Sequence, residues 1–493
     1  MKNLINKYRK WNPSIYATIL LMIVPFLMYL LIDFKLDNDF WFLINTGKTI
    51  LKEGFITVET FTIHSSLSFI PQQWLTDIIF YLIYSKFDIH GIYYLTILCN
   101  IVIVYLSYKL CLFVSKSNKK SILITIIINS FLIATQIIST RPQMFDIIVF
   151  ISELFILEKY VFYGNKKYLY FIPLLSLVLI NAHASMWLML FVFMIPYIVE
   201  YIIKKIRKEA TFNIKPLLII IVVSFLIGFV NPYGIEAIKY LFNSYGIKEI
   251  NSIVLEMMPL TITSRLGLLV YSIIFILLIS FYKNKGNNKI RYFLLSLGVI
   301  FLSLSHFKAT LYLMVVSIMV FGYNFKSNVE EKKVKVSIYE KIIYYLLTIA
   351  SLTFIVFKTK LDYNVDIIDF ADYLDKNANF EIKLYTDYNT GGYMEYRGYK
   401  CYIDPRAEVF LKSNNHKEDI FVEYYKLESY DIDVLMFLDK YKFDYLLVGD
   451  DSKVLLKELQ RNKDYKVVYS KIINFKNGEK YYLFENISNN KNT

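Results

Sequence analysis

From Ser14 to Phe357 the chain repeats one theme: apolar runs of about 16 to 25 residues, each ended by a short polar segment. A helix of about 20 apolar residues crosses the roughly 30 Å hydrocarbon core of a bilayer. Composition agrees, with 56% hydrophobic and 20% charged residues and a mean hydropathy of +0.41, where soluble chains hold about 45–50% apolar and 25% charged residues. The pattern excludes a soluble enzyme, a disulfide scaffold and a disordered chain. It predicts a polytopic α-helical membrane protein. Cys99, Cys111 and Cys401 lack metal-ligand spacing and imply no disulfide framework.

Eleven spans are read, at about 14–32, 90–114, 121–138, 143–160, 168–181, 185–203, 216–230, 264–282, 292–305, 309–325 and 339–357. The basic stretch Met1 to Pro13 precedes the first run without an A-x-A-type site, so that run reads as an uncleaved span. With the N-terminus cytoplasmic, the inside segments carry 24 Lys and Arg and the longer outside segments about 9, as the positive-inside rule requires. The net charge of +13 is therefore read as topology and not as a nucleic-acid partner. Eleven spans place the tail outside the cytoplasm. The domains are then 1–357 in the membrane and 358–493 outside it.

The first outer segment contains two amphipathic stretches. Asp39 to Lys52 sets Phe40, Leu43, Ile44, Ile50 and Leu51 on one helical face. Trp74 to Tyr84 sets Leu75, Ile78, Ile79, Leu82 and Ile83 on another, with Asp77 and Tyr81 opposite. Both predict helices in the interface plane; the alternative for 74–85 is a tilted or re-entrant span.

Polar residues beside span ends are sparse and fall on one predicted face: Asp37, Asp39, Gln72, Gln73, Arg141, Gln143, Asn181, His183, Asn231, Glu256, Arg265, His306 and Lys308. Glu153 falls mid-span and is expected to have a structural partner. Ionisable groups at membrane depth are costly and face a cavity or a partner. Such a set suits group transfer from a lipid-phosphate carrier. A cation such as Arg141, Arg265 or Lys308 would hold the phosphate, and Asp37 or Asp39 would take the proton of an acceptor hydroxyl. The Asp-x-Asp spacing also leaves open a divalent cation, Mg or Mn, bound through oxygen ligands. The plain structural reading of the triplet is a helix N-cap at Asp39. Arg141-Pro142 likewise reads as a span-start turn, Asn231-Pro232-Tyr233-Gly234 as a helix stop, and His183 and His306 as interhelical or interfacial contacts.

These residues resemble, in order, the motifs of bacterial integral-membrane glycosyltransferases of the GT-C superfamily, in a subgroup with a D-x-D-x-W opening. Here that opening reads Asp37-Asn38-Asp39-Phe40-Trp41, then Thr46-Gly47 and Glu53-Gly54. There follow Gln73-Trp74-Leu75, Arg141-Pro142-Gln143, Asn181-Ala182-His183, Asn231-Pro232-Tyr233-Gly234, Glu256 with Pro259, His306-Phe307-Lys308, Gly391-Gly392-Tyr393 and Asp404-Pro405-Arg406. The resemblance implies a polyprenyl-phosphate sugar donor and an acceptor of the cell envelope, met at the outer face of a bacterial plasma membrane. Asp37 or Asp39 would be catalytic. Arg141, His183, Glu256, His306 and Lys308 would bind donor phosphate or substrate, and Gln73, Trp74, Asp404 and Arg406 would lie on the acceptor side. Leu43 and Gln72-Gln73 stand where the subgroup has His and His-Glu, and Lys308 where it has Arg.

From about Asp362 the pattern becomes that of a small α/β domain. Helices are predicted at 366–377, 417–428, 432–441 and 452–462, and strands at 381–386, 400–404, 445–449 and 465–470. Asn477-Gly478 between apolar stretches signals a hairpin. Asp404 and Arg406 either bind a polar ligand at a strand end, as the resemblance favours, or form a packing pair. Two rivals to glycosyl transfer remain: a transporter or flippase of lipid-linked or sugar substrates, which predicts internal repeats, and a non-catalytic scaffold.

Overall fold

The computed structural model describes residue 34 and residues 36–115, 119–132, 135–136, 140–243, 248–325, 342, 346, 367–473 and 478–488. The chain forms two compact units. The first holds the described residues of 1–35, 92–230 and 255–362, and the second those of 36–91, 231–254 and 363–493. The predicted boundary at 357/358 lies outside the described residues.

The first unit is helical. Helices lie in the windows read from the apolar runs: Trp74–Val114, Lys119–Leu132, Gln143–Tyr163, Ile172–Ala182, Trp187–Ile206, Lys215–Ile227, Arg265–Lys283, Ile290–Ser305 and Thr310–Asn324. The predicted span 14–32, and 339–357 apart from residues 342 and 346, lie outside the described residues. Among the described residues, four helical stretches are long and apolar enough to cross a membrane, Trp74–Val114, Ala184–Ile206, Arg265–Lys283 and Phe307–Asn324; Lys215–Ile227 and Ile290–Ser305 are apolar but shorter. Gln143–Tyr163 has the length, yet carries Asp146, Glu153, Glu158 and Lys159. The stretch 168–181 is not one helix. A 3₁₀ turn, Lys166–Phe171, precedes Ile172–Ala182, whose start holds a proline, where a missing N–H costs nothing.

Thr310–Asn324 is buried on nearly every side, which explains its unbroken apolar sequence. Trp187 donates from Nε1 to Ser176 Oγ at 2.7 Å, and Ser176 Oγ donates to the Ser224 carbonyl at 2.8 Å. Gly228 lies on the Trp187 ring, where a Cβ would come within 2.2 Å. Three helices are thereby locked together. One end of this unit holds an enclosed ion-pair network. Arg291 donates to Glu158 at 2.7 and 2.9 Å and to Glu200 at 2.6 Å; Tyr197 and Tyr292 donate to Glu158, and Lys289 reaches it at 3.5 Å. Buried charge persists only when paired in this way. Glu153 departs from its expected structural partner: it is fully buried, and neither carboxylate oxygen has a hydrogen-bond partner among the described residues.

The second unit is built on a five-stranded sheet of order β2-β1-β3-β5-β4, from β1 Lys383–Tyr385, β2 Lys400–Cys401, β3 Tyr445–Gly449, β4 Tyr465–Ile472 and β5 Lys480–Asn486. β2, β1 and β3 are parallel, and β5 and β4 antiparallel. Every residue of β3 is buried, as its continuous apolar run requires of a central strand. Helices Ile368–Asn377, Ile420–Glu428, Val434–Tyr441 and Lys453–Arg461 match the predicted ones within a few residues. Between the hairpin partners β4 and β5, Gly478 takes φ 84°; Asn477 lies outside the described residues. The segment after Gly54 joins the same sheet: Thr62 bridges Cys401 in parallel, and Ile63 N donates to the Cys401 carbonyl at 2.9 Å. Leu67 and Phe69 enter the core formed by Tyr385, Tyr402, Phe437, Phe443 and Phe484.

Helix Asn38–Glu53 and the start of Trp74–Val114 also belong to this unit. The long helix runs through one non-helical residue, Asp88, with φ 53° and ψ −155°, so the stretches predicted separately at 74–84 and 90–114 form one broken run. Thr76, Asp77 and Phe80 face the interior, while Leu75, Ile78, Ile79 and Ile83 are partly exposed and Leu82 is exposed. The apolar face read from the sequence is the outward one.

Candidate functional site

In the helical unit, the candidate residues collect at helix starts and turns. Pro142 caps Gln143–Tyr163 and fixes Arg141 just ahead of it. Arg141 pairs with Glu256, with side-chain exposures of 19% and 25%. Glu256 sits in the short turn Leu255–Met257, and that turn is held from the other side. His306, the cap of Ile290–Ser305, bonds through Nδ1 to the Met257 carbonyl at 2.9 Å; Phe307 N donates to the Met258 carbonyl, also at 2.9 Å. Arg141, Glu256 and His306 thus form one connected cluster, and Lys308 lies in the turn Phe307–Ala309 directly after it. The network around Arg291 joins the other ends of Gln143–Tyr163, Trp187–Ile206 and Ile290–Ser305.

His183 closes the turn between Ile172–Ala182 and Trp187–Ile206. Its Nδ1 lies 2.6 Å from Asp146 Oδ2, and both side chains are buried. Sequence alone does not single out Asp146, which lies inside the apolar run read at 143–160 and not in the polar segment before it. It stands in the first turn of the helix that Arg141 precedes, so one helix start contacts both Glu256 and His183. Asn181 is structural, donating to the Leu177 and Val230 carbonyls at 2.8 and 3.0 Å. Arg265 is exposed at the start of its helix, behind a Ser264 cap.

In the second unit, Asp37 and not Asp39 is the N-cap of Asn38–Glu53: its Oδ1 accepts from Asp39 N at 3.1 Å. Asp39 occupies the first turn, where the helix dipole favours a carboxylate. Both are partly exposed. The tail buttresses this start. Gly391-Gly392-Tyr393 opens a helix, Gly391–Tyr396, and a Cβ on Gly392 would lie 3.4 Å from the Asn38 carbonyl oxygen. Trp41 meets Tyr393 and Tyr396 with ring centroids 4.9 Å apart in each case. Trp74 packs edge-on against Phe55 at 5.2 Å, and the Gln73 carbonyl accepts from Asp77 N at 3.0 Å. Asn231-Pro232-Tyr233-Gly234 is the turn its sequence predicts: Asn231 Oδ1 accepts from Tyr233 N at 2.9 Å, and Gly234 has φ 55°.

Asp404 and Arg406 take the packing arrangement instead of an open ligand-binding edge. Their exposures are 0% and 1%. The guanidinium donates from Nε to both Asp404 oxygens at 3.0 and 3.1 Å, and from a terminal nitrogen to Glu59 at 3.1 Å and Glu395 at 3.4 Å. It lies between the rings of Phe61 and Phe69, about 5 Å from each. Burial, reinforced by the charge of Asp404, pushes the Glu395 carboxyl well above the usual range. Neither Glu59 nor Glu395 carries a sequence signal, because each meets Arg406 only in the fold.

Among the described residues, no group of three or more His, Cys, Asp or Glu side chains could hold a metal ion. Asp37 caps a helix, and among the described residues no third ligand of those types accompanies the Asp37–Asp39 pair.

No protein-family model matches the chain, and no curated protein sequence matches it. Solved structures do. The chain shares its fold with the oligosaccharyltransferase of Archaeoglobus fulgidus. The apo crystal structure aligns with a TM-score of 0.55 at 9% identity, covering 87% of this chain and 69% of that one. The form tethered by a disulfide to an acceptor peptide with the NVT sequon gives 0.57 at 10% identity, covering 88% and 69%. The archaeal oligosaccharyltransferase AglB, also from Archaeoglobus fulgidus, in complex with an inhibitory peptide and a dolichol-phosphate gives 0.56 at 9% identity, covering 90% and 70%.

Proposed function

We propose that the protein is a membrane glycosyltransferase that moves a sugar from a polyprenyl-phosphate-linked donor to an acceptor at the outer face of a bacterial plasma membrane. The observation that carries this reading is the shared fold: about nine-tenths of the chain follows an enzyme whose structures include a dolichol-phosphate and an acceptor peptide. The cluster of Arg141, Glu256 and His306 supports it, because a cation held beside helix starts is suited to an anionic lipid headgroup.

In this reaction the acceptor hydroxyl gives its proton to the Asp39 or Asp37 carboxylate. Its oxygen bonds to the anomeric carbon, and the bond from that carbon to the phosphate oxygen breaks. The electron pair leaves with the lipid phosphate. Arg141 and Lys308 stabilise the charge that develops there, and Glu256 and His306 hold Arg141 and its neighbouring turn in place. The acceptor belongs to the cell envelope. The Arg141 end of the helical unit faces outward and the Arg291 end faces the cytoplasm.

The test is transfer of radiolabelled sugar from polyprenyl phosphate to cell-envelope material by the full chain in proteoliposomes. Replacing Asp37 and Asp39 together by Ala abolishes transfer, while loss of the Asp37 cap costs only about 0.5–2 kcal/mol and leaves the chain folded; full activity in the double variant overturns the assignment. Counterflow of the lipid-linked sugar without transfer would identify a transporter instead.

A further inference from the structure

Glycosyl transfer as proposed gives Asp146 no part, yet the structure aims this buried carboxylate at a candidate substrate residue. We propose that Asp146 is a positioning residue: it fixes the tautomer and ring orientation of His183, so that Nε2 offers a lone pair to a hydroxyl of the sugar. This rests on the glycosyltransferase reading.

Three observations carry it. First, Asp146 Oδ2 and His183 Nδ1 are 2.6 Å apart, with side-chain exposures of 0% and 6%. A carboxylate oxygen at that distance is an acceptor for a ring N–H, so the contact places a proton on Nδ1 and, in the neutral ring, the lone pair on Nε2. Second, the backbone of His183 is held on both sides: its N–H donates to the Leu179 carbonyl at 2.9 Å, and its carbonyl accepts from Met186 N at 3.0 Å. With Nδ1 also anchored, the imidazole has one orientation. Third, Asp146 Oδ1 and, one helical turn earlier, Gln143 Oε1 are buried acceptors with no hydrogen-bond partner among the described residues. Acceptors of this kind suit groups that donate, as sugar hydroxyls do. The sugar and the phosphate of one donor would thus be read from one helix start, by the Asp146–His183 pair and by Arg141.

The experiment uses the full chain in nanodiscs, labelled with ¹⁵N-histidine. The chain has five histidines, and a His183→Gln variant assigns the signal. The expected spectrum shows His183 with a protonated Nδ1 and a bare Nε2. In Asp146→Asn, whose amide both donates and accepts, the Nε2–H form grows and kcat falls about 10²-fold, with KM changed far less. Asp146→Glu restores the tautomer and part of kcat. A wild-type signal with the proton on Nε2, or an Asp146→Asn spectrum identical to wild type, overturns the proposal whatever the activity. If the wild type transfers no sugar from polyprenyl phosphate, the functional reading fails separately, since the tautomer is read without turnover.

Discussion

Gly47 lies against the backbone of Asp77: a Cβ on Gly47 would come within 2.1 Å of the Asp77 carbonyl oxygen. The helix Asn38–Glu53, which presents Asp37 and Asp39, therefore meets the helix starting at Trp74 at a crossing that only glycine fits. A backbone carbonyl cannot swing aside as a side chain can, so the two helices must separate. Gly47→Ala should destabilise by about 1–3 kcal/mol, the usual cost of overpacking, and displace Asp39. Gly298 is the matched control. It lies within a helix, and among the described residues no atom outside that helix's own backbone stands within 4 Å of the place a Cβ would take, so Gly298→Ala should be neutral or stabilising by up to about 1 kcal/mol. Thermal unfolding in detergent of both variants checks this; equal midpoints would refute the crossing.

Arg406 faces three carboxylates, those of Asp404, Glu59 and Glu395. Replacing it by Met leaves them buried without their cation and should cost about 3–5 kcal/mol. The same site sets a pH dependence. Glu395 has a folded pKa raised above its unfolded value of about 4.3, so the folded state binds the extra proton. The stabilisation is complete below the unfolded value and is lost as pH rises through the raised one. Glu395→Gln mimics the protonated form. Its thermal midpoint should therefore fall less than that of the wild type from pH 5 to pH 9, and parallel curves would contradict the assignment.

How much of this is legible in the sequence follows from the range of each interaction. Most helix positions in the helical unit and strands such as β3 are written in local apolar runs and readable within a few residues; the run that starts at Trp74 and the 3₁₀ turn Lys166–Phe171 are not. The partners of the polar residues are not. Asp146 and His183 are 37 residues apart, and Arg406 and Glu59 are 347 apart; only the fold joins them. By sequence Arg291 and Lys289 are cations marking an inside loop, whereas in the fold Arg291 is enclosed by Glu158 and Glu200. Gly391-Gly392 reads as a stretch permitting a close backbone approach. It does so as a helix start: a Cβ on Gly391 would lie 1.9 Å from the Ile403 carbonyl oxygen.

The Arg291 network predicts a stability effect without a catalytic one. Arg291→Met leaves the buried Glu158 and Glu200 without their guanidinium, with only Lys289 at 3.5 Å and Lys204 at 3.2 Å as remaining cations among the described residues, and should cost about 3–5 kcal/mol. The triple replacement of Arg291, Glu158 and Glu200 by apolar residues of similar size removes the desolvated charges together and should recover most of that loss. Thermal unfolding of the two variants decides: if the triple variant is no more stable than the single one, the network is not what holds this end of the helices.

The pair Arg141–Glu256 predicts the reverse. Both side chains keep contact with solvent, and pairs of that kind stabilise by about 0–1 kcal/mol. Arg141→Gln should therefore leave the thermal midpoint within a few degrees of wild type. If, as proposed, a donor phosphate meets this cation in the transition state, its loss costs about 10²–10³ in kcat. Exchanging the two charges, Arg141→Glu with Glu256→Arg, restores the ion pair but moves the cation onto the turn Leu255–Met257. If Arg141 serves only to hold that turn, the exchanged variant regains activity. If it meets the phosphate from the start of Gln143–Tyr163, the exchanged variant folds like wild type and transfers no better than Arg141→Gln.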